Sequence, residues 1–441
     1  MDKIKSTGGV RLNGKIRISG SKNAGLAVMA GSILSEEPII FQDLPDIRDV
    51  HSMCQLLLDM GTNISFDATQ LDKYGTEHPL IILNHSTIQK QVAEYEFVKK
   101  MRASVFVLGP LLGRFGKAKV SLPGGCAIGV RAVDQHIKGM EALGANVKVE
   151  NGYIIAEAPK EGLQGCDFTF THNSVGATEN VISACVLAHG KSVLRNCAKE
   201  PEIPALCEFF NSLGAKIEGY GTDTITIEGV KKLKGGLYKI PEDRIEAGTY
   251  AIATAITNGE VILTNCSLKT FEGCLDVFEN IGIGIEPANI DINGKNVSCV
   301  RCFKAKEFQP YNVETAIFPG FPTDLQAQIM IPLILANGKS VVSENIFENR
   351  FMHVAELVRM GADIEIQGNQ AIINDHKTNY KLTGANVMAT DLRASASLVL
   401  ASLIAEGETI IDRVYHLDRG YELLENKLNN CGAKLERVCG E

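Results

Sequence analysis

Read along its hydrophobic and polar positions, the chain repeats itself. A run of small and aliphatic residues is followed by a short polar break and then a β-branched stretch. It first occurs as Ala24-Gly-Leu-Ala-Val-Met-Ala-Gly-Ser-Ile-Leu, leading into Pro38-Ile-Ile-Phe. It returns at 103–116, 177–190, 247–259, 324–338 and 394–407, each time before a strand such as Val261-Ile-Leu or Thr409-Ile-Ile. A helix that is apolar nearly all round belongs inside a domain, and small side chains let its backbone lie close to its neighbours. The second landmark is an amphipathic helix ending on glycine. It reads Met60-Gly-Thr-Asn-Ile, Leu143-Gly-Ala-Asn-Val, Leu213-Gly-Ala-Lys-Ile, Ile281-Gly-Ile-Gly-Ile, Met360-Gly-Ala-Asp-Ile and Cys431-Gly-Ala-Lys-Leu. Glycine there predicts a left-handed cap that ends each helix.

Six such units, spaced about 70 to 80 residues apart, mark an internal repeat. Each reads helix, strand, helix and then strands that often form a hairpin, as around Gly221-Thr-Asp. The pattern predicts an α/β protein of two inside-out domains, three units each, with helices central and sheets outside. Pro241-Glu-Asp-Arg falls between the third and fourth units, and no Pro/Gly/Ser linker marks the join. The opening Val10-Arg-Leu-Asn-Gly-Lys-Ile-Arg-Ile alternates as a strand and is expected to pair with the C-terminal domain. That gives crossings near residues 21 and 242. The first domain is then 22–242, and the second is 1–21 with 243–441.

Composition narrows the class. A chain of 441 residues is too long for one core. No apolar run approaches the roughly 18 residues of a membrane span, and Met1-Asp-Lys-Ile-Lys lacks the apolar centre of a signal peptide. A cytoplasmic, soluble protein is expected, with its 12 irregularly spaced cysteines kept as thiols. Cys299 and Cys302 form the only C-x-x-C and are read as packing rather than a zinc site. A net charge of −8 argues against nucleic-acid binding.

Candidate chemistry concentrates in one stretch, Ser121-Leu-Pro-Gly-Gly-Cys-Ala-Ile-Gly-Val-Arg-Ala-Val-Asp-Gln-His. Pro followed by two glycines cannot extend a helix or a ladder, so this is loop. Cys126, exposed near the cation of Arg131, is expected to be a reactive thiol. Charged residues also interrupt the repeat. Lys22 and Asn23 precede the first small-residue helix, where an anion is favoured. Arg102, Asp324, Asp391 and Arg393 hold the same place in later units, while Arg350 and Arg419 follow the fifth and sixth strands. Singly, each Lys or Arg could be a solvated surface charge. Together, at segment junctions, they predict a cationic cleft for a multiply charged substrate. Asp324 suits either an N-cap or a proton acceptor, and Asp391 is similarly ambiguous. His136 is expected to orient the loop or a ligand, and His353 and His416 to be structural.

Five motifs then carry a resemblance. They are Leu122-Pro-Gly-Gly-Cys-Ala-Ile-Gly, Gly176-Ala-Thr-Glu-Asn, Phe321-Pro-Thr-Asp-Leu-Gln-Ala-Gln, Glu348-Asn-Arg-Phe-Met-His and Met388-Ala-Thr-Asp-Leu-Arg-Ala-Ser-Ala-Ser. Over essentially the whole chain they resemble the UDP-N-acetylglucosamine 1-carboxyvinyltransferases, enolpyruvyl transferases that open peptidoglycan precursor synthesis. The resemblance implies two inside-out domains with the active site in the cleft between them. It implies the substrates phosphoenolpyruvate and UDP-N-acetylglucosamine, with no cofactor, metal or obligate protein partner. By resemblance Cys126 is the flap cysteine that protonates phosphoenolpyruvate and is alkylated by fosfomycin. Lys22, Arg131 and Arg419 contact the donor's phosphate and carboxylate, and Arg102 also matches a substrate-contacting arginine; Arg350, Asp391 and Arg393 are expected to bind substrate from their place at the segment junctions alone. Asn23 and Asp324 hold the acceptor sugar, with Asp324 placed to take the 3-hydroxyl proton. The run from Arg131 through Ala132, Val133, Asp134 and Gln135, with His172, Asn173, Ser174, Val175 and Ile346, matches the nucleotide-sugar contacts. Addition–elimination needs such an acid, base and cation set.

Three departures stand out: Ser21 for Ala, Ala132 and Gln135 for Pro and Leu, and His172-Asn173 for a Lys/Arg-Val pair. The second is expected to loosen the run after Arg131, and the last two bear on uridine affinity. The shikimate-pathway enolpyruvyl transferases share fold and donor but lack the Pro-Gly-Gly-Cys flap. A nucleotide-sugar-binding duplicate without turnover is a second alternative, and a nucleic-acid-binding or RNA-end-processing role is a third, against which the acidic balance counts.

Overall fold

In each unit the small-residue run is a buried helix: Lys22–Gly31, Leu108–Phe115, Val175–Cys185, Arg244–Ile256, Gln326–Leu335 and Leu392–Ile404. The computed structural model describes residues 2–71, 77–99, 101–122, 133–292, 294–375 and 380–439. In Arg244–Ile256 every residue from Ile245 onward is buried. Small residues are required because the backbones touch: a Cβ on Gly109 would lie 2.1 Å from the Asn180 carbonyl oxygen of the neighbouring helix. The second and fifth helices open with tighter turns, Arg102–Val107 and Thr323–Leu325.

The amphipathic helices lie outside this centre, and all six end as their glycines dictate. Gly61, Gly144, Gly214, Gly282, Gly361 and Gly432 have φ between +89° and +114°. A side chain resists that region, whereas glycine enters it freely.

Among the described residues the strands form six four-stranded sheets of one plan. The strand after each buried helix pairs in parallel with a strand from a neighbouring unit and, in all but the sixth, antiparallel with its own unit's hairpin. Thus Lys191–Arg195 has Asp167–Thr169 parallel on one side and Thr224–Glu228 antiparallel on the other, backed by Lys216–Glu218. Ile39–Gln42 takes its parallel partner Gly236–Lys239 from the end of the third unit, which closes a ring of three.

The second half closes through the start of the chain. Asn13–Arg17 is the parallel partner of Glu260–Thr264. Lys3–Thr7, not anticipated from the pattern, sits between Glu408–Asp412 and Leu435–Val438. Two hydrophobic cores result. One gathers Ile4, Leu12, Ile16 and Ile18 with residues from Ile245 to Leu435. The other runs from Leu26 to Ile240. Where the chain passes between them the two segments pair: Ser21 N–H donates to Pro241 O at 2.7 Å, and Asp243 N–H to Ser19 O at 2.9 Å. We propose the domain boundary at these crossings, 22–242 against 1–21 with 243–441.

Cys299 and Cys302 are buried thiols. Among the described residues no group of three His, Cys, Asp or Glu is placed to hold a metal. No helix among them is long and apolar enough to cross a membrane.

Candidate active site

Lys22 opens the first buried helix. Ser21 caps it, accepting from Ala24 N–H, and Asp243 accepts the Lys22 backbone N–H at 3.0 Å. The ammonium reaches Asp49 Oδ2 at 3.2 Å. Arg419, at the end of the turn Val414–Arg419, meets the same carboxylate from the other half of the chain, Nε to Oδ1 at 2.9 Å. Burial pulls the Lys22 pKa below its ordinary value; Asp49 opposes the fall, while Arg393 and Arg419 add to it. Burial would raise Asp49, but the charges of Lys22 and Arg419 outweigh it and hold that carboxyl low. Sequence reasoning missed Asp49. In the first turn of Arg48–Met60 it reads as an ordinary acidic residue favoured by the helix dipole.

Asp324 is the second centre. Its Oδ1 accepts from Arg350 at 2.6 Å and its Oδ2 from Arg393 at 2.9 Å. Arg350 also donates to Thr323 Oγ1 at 2.8 Å. Buried Glu344 fixes this turn, accepting from the Thr323 hydroxyl at 2.8 Å and from Ile346 N–H at 2.9 Å. Despite burial, the two guanidinium groups hold Asp324 well below the usual carboxylate range. Asp324 therefore caps nothing; Asp391 is the cap, accepting from Arg393 and Ala394 N–H at 2.8 and 3.1 Å. The cleft expected to be cationic carries its own counter-anions, because Lys22, Arg350, Arg393 and Arg419 all face a carboxylate.

A third group lies where the helices Asp134–Ala142 and Val175–Cys185 begin. Gln135 is buried and ties the two starts together: its amide donates to Thr171 Oγ1 at 2.7 Å and accepts Thr171 N–H at 2.8 Å. It also donates to Asp134 at 2.9 Å. The expected loosening at this position is thus reversed, since Gln135 is a clip. His136 is buried against Asn180, whose orientation is fixed because Gly109 N–H donates to its Oδ1 at 2.6 Å. The Asn180 amide then donates to His136 Nδ1 at 2.9 Å, which leaves the imidazole proton on Nε2. Burial, aided by the charge of Arg102, lowers the His136 pKa to about 4. His136 is therefore a neutral donor near neutral pH. Ser174 caps the Val175–Cys185 helix, Asn173 donates to Cys197 O at 3.0 Å, and His172 is exposed beside them.

Residues 6–428 match the family described as EPSP synthase (3-phosphoshikimate 1-carboxyvinyltransferase). The chain belongs to this family of enolpyruvyl transferases. Its fold matches that of solved relatives. The enolpyruvyl transferase NikO from Streptomyces tendae superposes with a TM-score of 0.83 at 21% identity, covering 100% of this chain and 99% of that one. Two structures of EPSP synthase from Acinetobacter baumannii give TM-scores of 0.73 and 0.75 at 16% and 17% identity, with 100% of both chains covered.

In this enolpyruvyl transferase the predicted residues resolve into two sets. Lys22, Asp324, Arg350, Arg393 and Arg419 come together: Lys22 feels the charges of Arg393, Arg419 and Asp324. Arg102, Val133 to His136 and His172 to Val175 form the other set, linked through Gln135, Thr171 and Asn180. Asn23 and Ile346 are half-buried at the starts of their segments. Cys126, Arg131 and Ala132 lie outside the described residues.

Proposed function

We propose that this enolpyruvyl transferase moves the enolpyruvyl group of phosphoenolpyruvate to the 3-hydroxyl of UDP-N-acetylglucosamine and releases phosphate. The observation that carries the reading is the meeting of Lys22 and Arg419, from opposite halves of the chain, on a single carboxylate at 3.2 and 2.9 Å. Two cations that share one anion form a receptor for a donor with a carboxylate and a phosphate. The Pro123-Gly-Gly-Cys run and the nucleotide-end motifs of the sequence point to the acceptor.

In this mechanism the thiol of Cys126 protonates C3 of the donor while the sugar oxygen attacks C2. The 3-hydroxyl proton passes to Asp324, and a tetrahedral ketal forms. The Cys126 thiolate then takes back a proton from C3, and phosphate departs with the proton that Asp324 accepted, which restores the double bond and both side chains. Lys22, Arg131 and Arg419 neutralise the donor's anions as charge redistributes. Asp324 is a weak base while two guanidinium groups face it. An anionic substrate that draws Arg350 or Arg393 toward itself raises its proton affinity, so substrate binding arms the base. His136, with its proton on Nε2, donates to the acceptor's nucleotide end.

The family description favours a second acceptor, shikimate 3-phosphate, and one assay separates the two. Phosphate release from phosphoenolpyruvate is measured with each acceptor in turn. Release only with UDP-N-acetylglucosamine, together with a fosfomycin adduct lost in Cys126→Ala, is the expected result. Equal release with shikimate 3-phosphate, or none with either acceptor, overturns the assignment.

A further inference from the structure

The helix Arg48–Met60 belongs to the first half of the chain, yet its start is fastened to the second at three points. Asp49 takes the Arg419 guanidinium, Nε at 2.9 Å and a terminal nitrogen at 3.4 Å. Asp46 N–H donates to Glu422 at 2.8 Å, and Arg48 approaches Asp418 at 3.5 Å. The receiving turn is itself anchored: Arg437 grips Asp418 at 2.6 Å, and the Ser19 hydroxyl donates to Glu422. Asp49 is buried, and its Oδ2 also receives Lys22 at 3.2 Å.

We infer that Asp49 is a positioning residue that assembles the donor-anion receptor across the seam between the two halves, holding Lys22 charged and Arg419 in place. This rests on the reading of Lys22 and Arg419 as the groups that receive phosphoenolpyruvate. The charges facing Lys22 are Asp49 from its own half, and Arg393, Arg419 and Asp324 from the other; Asp243 holds its backbone. Three of those four act from elements that must dock before the site exists. Asp49 is the group that ties the docking to the charge on Lys22. Without it, the partly buried ammonium faces two guanidinium groups with Asp324 alone to oppose them, and its proton is released at lower pH.

The test is Asp49→Asn, which keeps the shape and removes the charge. With saturating acceptor, KM for phosphoenolpyruvate should rise about tenfold or more, and the alkaline limb of kcat/KM should move to lower pH. KM for the acceptor should stay within about twofold. Asp49→Glu keeps the charge and should keep the alkaline limb. A merely structural role would lower the melting temperature and leave that limb in place; an unmoved limb with unchanged donor KM overturns the inference.

Should no acceptor support turnover, the functional reading fails by itself. The titration of Lys22 still decides the role of Asp49. Carbon-13 dimethyl-lysine NMR, assigned with Lys22→Arg, should show a lower midpoint in Asp49→Asn and a higher one in Arg419→Gln. Opposite signs separate an electrostatic tie from general damage, and equal midpoints in all three proteins overturn it.

Discussion

Asp324 shows how far a residue's role departs from its local context. Its side chain is 26% exposed and bridges two guanidinium groups that are nearly buried. Removing one partner of such a set strands the other charges, which costs far more than the intact set contributes. Asp324→Asn should therefore lower stability by roughly 2 to 3 kcal/mol near neutral pH, measured by urea unfolding. The pH dependence has a definite sign. Because the folded-state pKa is depressed, the contribution is fully present above the unfolded value of about 4 and is lost as pH falls below it. The gap between wild type and Asp324→Asn should thus be constant down to about pH 4 and shrink on further acidification. A gap that widens there would show that the guanidinium pairs are not what holds Asp324. The sequence placed Asp324 and both arginines among the candidates, since each breaks the repeat at a segment junction. It did not show their mutual pairing, nor the partnership of Asp49 with Arg419, because contacts across 370 residues of chain are set by the closed fold.

At the scale of elements the opposite holds, and local chemistry suffices. Small-residue helices and glycine caps recur because each unit solves the same packing problem, so the helix centres and all six left-handed glycines were readable in advance. The same reading distinguishes two glycines one turn apart in Leu108–Phe115. A Cβ at Gly109 would meet the Asn180 carbonyl at 2.1 Å, inside the peptide backbone of the next helix. At Gly113 the nearest atom is 3.5 Å away, an ordinary contact. Gly109→Ala should therefore cost about 3 kcal/mol or prevent folding, because the neighbouring backbone cannot yield. Gly113→Ala should be neutral or stabilising by about 0.5 to 1 kcal/mol, since alanine loses less conformational entropy in a helix. Thermal unfolding of the two variants decides it, and equal losses would mean that helix spacing is not what selects glycine here. Less readable was Gln135, whose meaning depends on Thr171, brought alongside it by the neighbouring unit.

For the whole molecule, the arrangement of the sixth unit is the informative one. Every other unit supplies its own hairpin, but here Leu435–Val438 pairs with Lys3–Thr7, and Asn13–Arg17 then serves the fourth unit. The architecture is cyclic, and the chain enters the second ring partway round. Ile4, Leu12 and Ile18 have no exposed surface and Ile16 only 2%, so this opening segment belongs to the core. Each such side chain contributes about 1.5 to 3 kcal/mol on burial, and a whole domain is stable by only about 5 to 15. Deleting residues 2–20 should therefore unfold the second half, with loss of its cooperative thermal transition by circular dichroism. The segment's place in the order of synthesis, by contrast, should not matter. Lys3 and Val438 are register partners in an antiparallel pair, so a short Asn-Gly turn can join them. New termini can open between Gly221 and Thr222, both exposed in the turn between Lys216–Glu218 and Thr224–Glu228. That permutant keeps every ladder and leaves Lys22, Asp49, Asp324 and Arg419 untouched. It should melt within about 5 °C of the parent, a shift that corresponds to no more than about 2.5 kcal/mol in a unit of this size. A permutant that fails to fold while the truncated chain keeps its transition would mean that the opening strands dock onto a ring already complete without them.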